Sequence, residues 1–199
     1  MSDGGVNTTR RRFLTAATSV VGAAGAVGVA VPFVGSWNPS AKAKASGAPV
    51  KFDISKLEPG EMKVVEWRGK PVYVVRRTAD SLAALKELEG SLKDPASETA
   101  DQPAYIDGAE RALNPEYMVL VGLCTHLGCA PKYRPEVGSA PTPDGSEWIG
   151  GFFCPCHGSS FDLSGRVYKG VPASANLVIP PYSYESDNVM VIGVDQETV

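Results

Sequence analysis

The stretch CPCHGSSFD, residues 154 to 162, places Cys154, Cys156 and His157 within four positions. The chain has four cysteines and two histidines in 199 residues, and the other three of these six lie in CTHLGC as Cys124, His126 and Cys129. Every cysteine and histidine therefore falls in one of two short clusters. Cys124 with His126, and Cys154 with His157, are each spaced so that two side chains of one loop can reach a single metal atom. The simplest chemistry for two sulfurs and two nitrogens is a structural zinc site. Cys129 and Cys156 are surplus to such a site and hold equivalent places, one in each loop. Gly122, Gly128, Gly150, Gly151 and Gly158 surround the clusters and allow close backbone approach to a bulky object.

The elements around these clusters are short apolar runs bounded by turn residues. Strands are expected over 62–67, 71–77, 117–123, 147–154 and 188–194. EWRGKP separates the first pair and YESDN leads into the last, and both read as hairpin connections. One helix is expected over 78–90, capped by Asp80 or Ser81 and ended by Gly90. Residues 91–116 read as an irregular excursion. These elements predict a mainly β head, a sandwich or small barrel with one helical insertion. Both Cys/His clusters directly follow a strand, so both lie on loops held by a sheet, where sites are usually built.

The N-terminus speaks to compartment. TRRRFLT carries the paired Arg10 and Arg11, then Arg12, Phe13 and Leu14, and resembles a twin-arginine export signal with Thr15 where lysine is common. From Phe13 to Val34 run 22 residues without a charge, enough as a helix to cross a hydrocarbon core. The arginines before it should stay in the cytoplasm and send the C-terminal head outside. AKAKA, Ala41 to Ala45, offers small residues for signal cleavage, but the apolar stretch exceeds the usual ~7–15 residues of a signal and favours a retained anchor. Trp37 is placed for a membrane interface, and the rest of 35–49 reads as a spacer. An exported head sits in an oxidising compartment, where structural zinc is less usual and disulfides persist.

Charge narrows the partners. Residues 1–49 carry five Lys/Arg against Asp3, whereas residues 50–199 carry 14 Lys/Arg against 21 Asp/Glu. An acidic head of one-domain size with no basic stripe argues against nucleic acid.

CTHLGC followed by CPCHGS resembles the two cluster-binding loops of Rieske iron–sulfur proteins, and all six positions match. The resemblance implies that Cys124 and Cys154 bind one iron of a 2Fe-2S cluster, that His126 and His157 bind the other, and that a Cys129–Cys156 disulfide ties the loops. Two neutral imidazoles in place of two thiolates make the cluster less negative, which raises its potential into a span of about −150 to +300 mV, against about −400 mV for all-cysteine clusters. The outer nitrogen of each imidazole stays free to exchange a proton, becoming a better acid when the iron is oxidised and a better base when it is reduced. An electron and a proton can then be taken up together, which is the chemistry of quinol oxidation. Twin-arginine export, which carries folded proteins, suits a cluster inserted before crossing.

The resemblance extends along nearly the whole chain to the iron–sulfur subunits of bacterial cytochrome bc complexes, the ubiquinol–cytochrome c reductases. It implies a cytoplasmic N-terminus over 1–12, a transmembrane helix over 13–34, a flexible hinge over 35–49 and a Rieske domain over 50–199, with cluster loops at 124–129 and 154–159. The fold implied is an antiparallel β-sandwich with a small cluster-binding subdomain. His157 would hydrogen-bond the quinol bound in cytochrome b, with His126 exposed beside it, and Leu127 would shield the cluster at that tip. Ser159 would point its hydroxyl at a bridging sulfide, and Pro172 would mark a proline loop over the cluster. Implied partners are cytochrome b, a c-type cytochrome subunit, quinol and membrane lipid, in a dimeric complex in the bacterial inner membrane with the head periplasmic. Catalysis would need that complex, because the chain has one span and no C-x-x-C-H haem motif.

Two positions depart from the family pattern. Phe161 stands where tyrosine is common, which predicts a lower potential unless the residue is simply core packing. Ser174 replaces a frequent second proline and puts in doubt only the stiffness of the loop. A rival role is the Rieske relay subunit of a periplasmic molybdenum enzyme such as arsenite oxidase, which needs no quinol contact. A Rieske dioxygenase is disfavoured, since no histidine remains for a non-haem iron.

Overall fold

In the computed structural model, Gly5 and residues 7–196 are described, and they fall into two units, one ending at Ala45 and the other beginning at Ser46. The first unit is dominated by α1 (Thr8–Ser36), 29 residues that begin before the uncharged stretch and run past its end. Asn7 caps it, its side-chain oxygen accepting from the Arg10 backbone N–H. At 1.5 Å per residue the helix is about 43 Å long. Its apolar side chains, Phe13, Val21, Val27 and Phe33 among them, are more than half exposed. It is long and apolar enough to cross a membrane, its most apolar 18-residue stretch having a mean hydropathy of 1.8. A second helix, α2 (Ala41–Ser46), lies within the stretch expected to be a hinge.

The head is built from three small antiparallel sheets. β1 (Val50–Asp53), β9 (Val189–Ile192) and β8 (Tyr182–Ser186) form one, in that order. β2 (Met62–Trp67), β3 (Lys70–Arg76) and β4 (Tyr117–Val121) form the second. β5 (Lys132–Arg134), β6 (Gly151–Cys154) and β7 (Ser159–Phe161) form the third. Both expected hairpins are present. β2 and β3 turn through Arg68 and Gly69, each at positive φ (52° and 69°), the two-residue turn whose twist matches the strands. β8 and β9 join through Asp187 and Asn188.

Several expected elements are shorter in the structure, and for two of them the physical reason is plain. The strand expected over 147–154 begins only at Gly151, because Gly150 takes φ 103° and Trp148 turns inward, 1 % exposed, with its indole N–H donating to the Arg134 carbonyl. The helix expected over 78–90 spans only Ala79–Ala84, and its cap is Thr78, which exchanges side-chain hydrogen bonds with Ser81 in a capping box. Neither Asp80 nor Ser81 is the cap. The helix stops where Leu85 and Leu88 drop into the core and the Leu85 carbonyl accepts a bond from the Arg166 guanidinium. Gly90 lies in a separate 3-10 turn, Glu89–Ser91.

Residues 92–116 contain neither helix nor strand, yet they are firmly held. Arg111 is wholly buried and donates to Gln102 Oε1 and to the Ser164 and Leu177 carbonyls. Arg77, 3 % exposed, reaches the Pro115 and Glu110 carbonyls. These donors satisfy backbone oxygens that an irregular segment would otherwise bury unpaired. The apolar core runs from Val72, Val74 and Leu120 of the second sheet to Phe152 and Phe161 of the third, so the sheet that feeds the first Cys/His loop packs directly on the sheet that carries the second.

Candidate metal centre

Each Cys/His loop is closed by the same local device. After β4 the chain turns, the Cys124 N–H donates to the Cys129 carbonyl at 2.8 Å, and the Gly128 N–H donates back to the Cys124 carbonyl at 2.9 Å. In the hairpin between β6 and β7, where Cys154 pairs with Ser159, the Gly158 N–H donates to the Cys154 carbonyl at 3.0 Å. Both glycines sit at nearly equal positive φ, 78° and 76°, where L side chains are strained. Their role is to turn the loops, since nothing lies within 4 Å of where a side chain would begin. Gly122 does meet a bulky object, but that object is the Tyr73 ring, 2.3 Å from where its Cβ would be. Tyr73 stands on β3, packs 6.0 Å from Phe152 and donates its hydroxyl to the Pro131 carbonyl, bracing the first loop from below.

The sulfurs divide into two pairs. Cys129 and Cys156 form a disulfide that joins the two loops across 27 residues of chain. The sulfurs of Cys129, Cys154 and Cys156 lie within 4.8 Å of one another, but two of them are committed to that bond. Cys124 and Cys154 remain free, 4 % and 2 % exposed, with the Cys154 thiol next to that of Cys124. Burial pushes the Cys124 thiol up; the His126 backbone N–H and the Ser159 hydroxyl oppose that rise, while Cys154 reinforces it. A buried thiol is deprotonated outright on binding a metal cation.

The imidazoles are more open to solvent than the free thiols. The His126 and His157 rings lie 4.8 Å apart, nearly perpendicular at 87°, with His157 exposed and His126 half-buried. Two buried thiols and two more accessible imidazoles are therefore carried on two loops that a disulfide joins. That donor set, two thiols and two imidazoles, fits a 2Fe-2S cluster of the kind in which two histidines replace two cysteines.

The surroundings place the remaining candidates. Leu127 projects beside the histidines at 72 % exposure. Pro172 is exposed, and an open groove of about 260 Å³ separates the 170–172 turn and His157 from Pro141 and Pro143. Ser159 is fully buried, and its oxygen accepts from the Ala173 N–H at 3.0 Å. Ser174 is exposed, and its hydroxyl reaches the Thr125 carbonyl at 3.4 Å, while the Thr125 hydroxyl donates to the Ala175 carbonyl at 2.6 Å. The loop thus gains hydrogen bonds to the first cluster loop where a second proline would have stiffened it. Phe161 has no exposed surface and sits on β7 opposite Phe152 in the core. Thr125 and Tyr73 were not legible as site residues: a threonine inside a loop and a tyrosine in a strand carry no signal of what they will touch.

Comparison with known proteins agrees with this geometry. A family model described as "Rieske [2Fe-2S] domain" matches residues 96–183, and one described as "Ubiquitinol-cytochrome C reductase Fe-S subunit TAT signal" matches residues 1–40. The β head with its two bridged Cys/His loops is a Rieske domain, its cofactor a [2Fe-2S] cluster, and the zinc reading falls away. The "Ubiquinol-cytochrome c reductase iron-sulfur subunit" of Allochromatium vinosum is 58 % identical over 196 residues, 98 % of this chain and 94 % of that one. The protein of the same name from Blastochloris viridis is 41 % identical over 186 residues, 93 % of each chain. Among solved structures, a chain of "Hyperthermophilic respiratory Complex III" is 27 % identical and superposes with a TM-score of 0.48, covering 88 % of this chain and 98 % of its own. The chain belongs to the family of ubiquinol–cytochrome c reductase iron–sulfur subunits.

Proposed function

We propose that this chain takes one electron from quinol at the oxidation site of cytochrome b and delivers it to a c-type cytochrome subunit, within a dimeric bc complex and catalytic only there. Cys124 and Cys154 would hold one iron of the cluster, and His126 and His157 the other. When bound, the cluster supplies one-electron redox chemistry at a potential raised by its two neutral ligands.

The chain's own residues do the rest. The exposed His157 presents its outer ring nitrogen to the quinol hydroxyl, accepts that hydrogen bond and takes up the proton. Exposed Leu127 offers an apolar contact beside it, excluding water where the quinol docks. The buried cysteines keep the sulfur side dry, and the disulfide holds both loops at one spacing. Helix α1 anchors the chain in the bacterial inner membrane with its arginines cytoplasmic and the head periplasmic. Residues 35–49 serve as the hinge on which the head travels between the two partners.

The observation that carries this reading is the edge-to-face pair of His126 and His157, His157 exposed, on the same two loops as two buried free thiols. Low-temperature EPR of membranes, with and without an inhibitor of the quinol site, tests it. A reduced Rieske signal that shifts on adding inhibitor is the expected result. A signal indifferent to the inhibitor would favour an electron relay with no quinol contact, as in a molybdenum oxidase.

A further inference from the structure

The turn carrying Pro172 is held from behind by a residue of the irregular segment. Lys93 donates from Nζ to the Val171 carbonyl at 3.0 Å and to the Ala173 carbonyl at 2.7 Å, gripping the turn on both sides of Pro172. Its own backbone is fixed, because residues 91–93 run antiparallel to 167–169. The Lys93 N–H donates to the Val167 carbonyl, the Lys169 N–H to the Ser91 carbonyl, and Leu92 bridges Tyr168. Lys93 forms no ion pair with a carboxylate among the described residues, so its charge is directed at these two carbonyls. Hydrogen bonds from a charged donor are roughly twice as strong as neutral ones, and two from one ammonium fix both position and orientation.

The consequence reaches the buried sulfur pair. With Val171 and Ala173 fixed, the Ala173 N–H is aimed at Ser159 Oγ, 3.0 Å away. A hydroxyl has one hydrogen to give and two lone pairs to offer. Once the Ala173 N–H has taken one lone pair, the Ser159 hydrogen is free to point toward the buried sulfur pair, whose Cys154 is the cross-strand partner of Ser159 in the β6–β7 hairpin. A sulfur ligand accepts such a bond more strongly as it gains negative charge on reduction. We infer that Lys93 is a positioning residue which, through the Val171 and Ala173 carbonyls, sets the Ala173 N–H that orients the Ser159 hydroxyl toward the sulfur side of the site and so raises its potential. This rests on the assignment of Cys124 and Cys154 as ligands. Nothing in the sequence singles out Lys93, which is one lysine in a polar stretch some 30 residues before the first cysteine cluster.

The test uses the full chain in membranes or detergent, with amide hydrogen exchange at Ala173 and redox titration of the EPR signal as its two readouts. In Lys93→Met, Ala173 exchange should speed up about tenfold, as a local opening no longer resisted by the ammonium, and the midpoint potential should fall. Lys93→Arg, which keeps a charged donor, should restore most of both. Adding Lys93→Met to Ser159→Ala should leave the potential where Ser159→Ala alone puts it. Unchanged exchange and potential in Lys93→Met would overturn the inference, and so would a full further drop in the Ser159→Ala background, which would mark a plain charge effect. Failure of the cluster reading itself looks different: the unmodified chain would give no Rieske signal, while Ala173 exchange would still report on Lys93.

Discussion

The Asp162 carboxylate and the Arg166 guanidinium meet at 2.7 Å with no exposed side-chain surface on either partner. Asp162 also accepts the backbone N–H groups of Ser164 and Arg166, forming a closed turn just after the second cluster loop. Two further buried guanidiniums share its field. Burial lowers Arg77 and Arg111 to about 10, and in both cases the Asp162 charge is the largest force opposing that drop. Removing one partner of a buried pair costs about 3–5 kcal/mol, because the other is left charged and unmatched. Asp162→Asn should lose at least that much, since Arg166 loses its ion-pair partner and Arg77 and Arg111 lose the charge that most favours their charged forms. Thermal unfolding of the solubilised chain checks it, and a loss below about 1 kcal/mol would contradict the account.

The Cys129–Cys156 bond closes a loop with a sequence separation of 27. Loop-closure entropy for that length corresponds to about 3–4 kcal/mol of stability. A Cys129→Ala, Cys156→Ala double variant should lose stability on that scale. Its two loops, no longer bolted together, should also lose their cluster faster in air, visible as bleaching of the absorbance of the oxidised protein. Equal bleaching rates for variant and parent would remove the role assigned to the bridge.

Phe161 is fully buried opposite Phe152, so its ring serves the core whatever else it does. A tyrosine hydroxyl at this place would donate toward a ligand sulfur and favour the reduced state. If that bond strengthens by about 1 kcal/mol on reduction, the potential of Phe161→Tyr rises by roughly 40 mV, since a tenfold change in a one-electron equilibrium corresponds to about 59 mV. A redox titration giving no rise would leave Phe161 with packing alone.

Hydrogen bonds from Ser146, then from Ser91, hold Asp144 down at about 2, below the ordinary 3.8. A carboxyl whose folded value is depressed stabilises the fold above its unfolded value, and that contribution disappears as the pH falls through the folded one. The turn around Asp144, next to the groove beside His157, should therefore stay closed at pH 4 and loosen between about pH 4 and 2. Carboxyl titration followed by NMR should show a midpoint near 2, and the step should vanish in Asp144→Asn. A midpoint near 3.8 would mean that the turn does not hold this carboxylate.

Strands β2, β3, β4 and β9 were legible as apolar runs between turn residues, since burial on at least one face dictates their composition. β5, β7 and β8, reading KYR, SSF and YSYES, carry no such pattern. They are strands because neighbours supply their hydrogen bonds. The same contrast holds at the site. Six cysteine and histidine positions stood out by type and spacing, four as candidate metal ligands, because metal binding tolerates few side chains at few separations, and two as the pair that the structure joins in a disulfide.

The amino-acid order alone therefore determined the ligand candidates, the export signal and a β head, all set by local chemistry and short-range pattern. Tertiary structure alone decided how that site is supported. It brought Tyr73 beneath Gly122, aimed Ala173 at Ser159, carried Lys93 to the turn around Pro172, and buried Asp162 among three arginines. Apart from the Asp162–Arg166 pair, these contacts join residues 14 or more positions apart, so no local pattern encodes them; they exist only once the chain has packed.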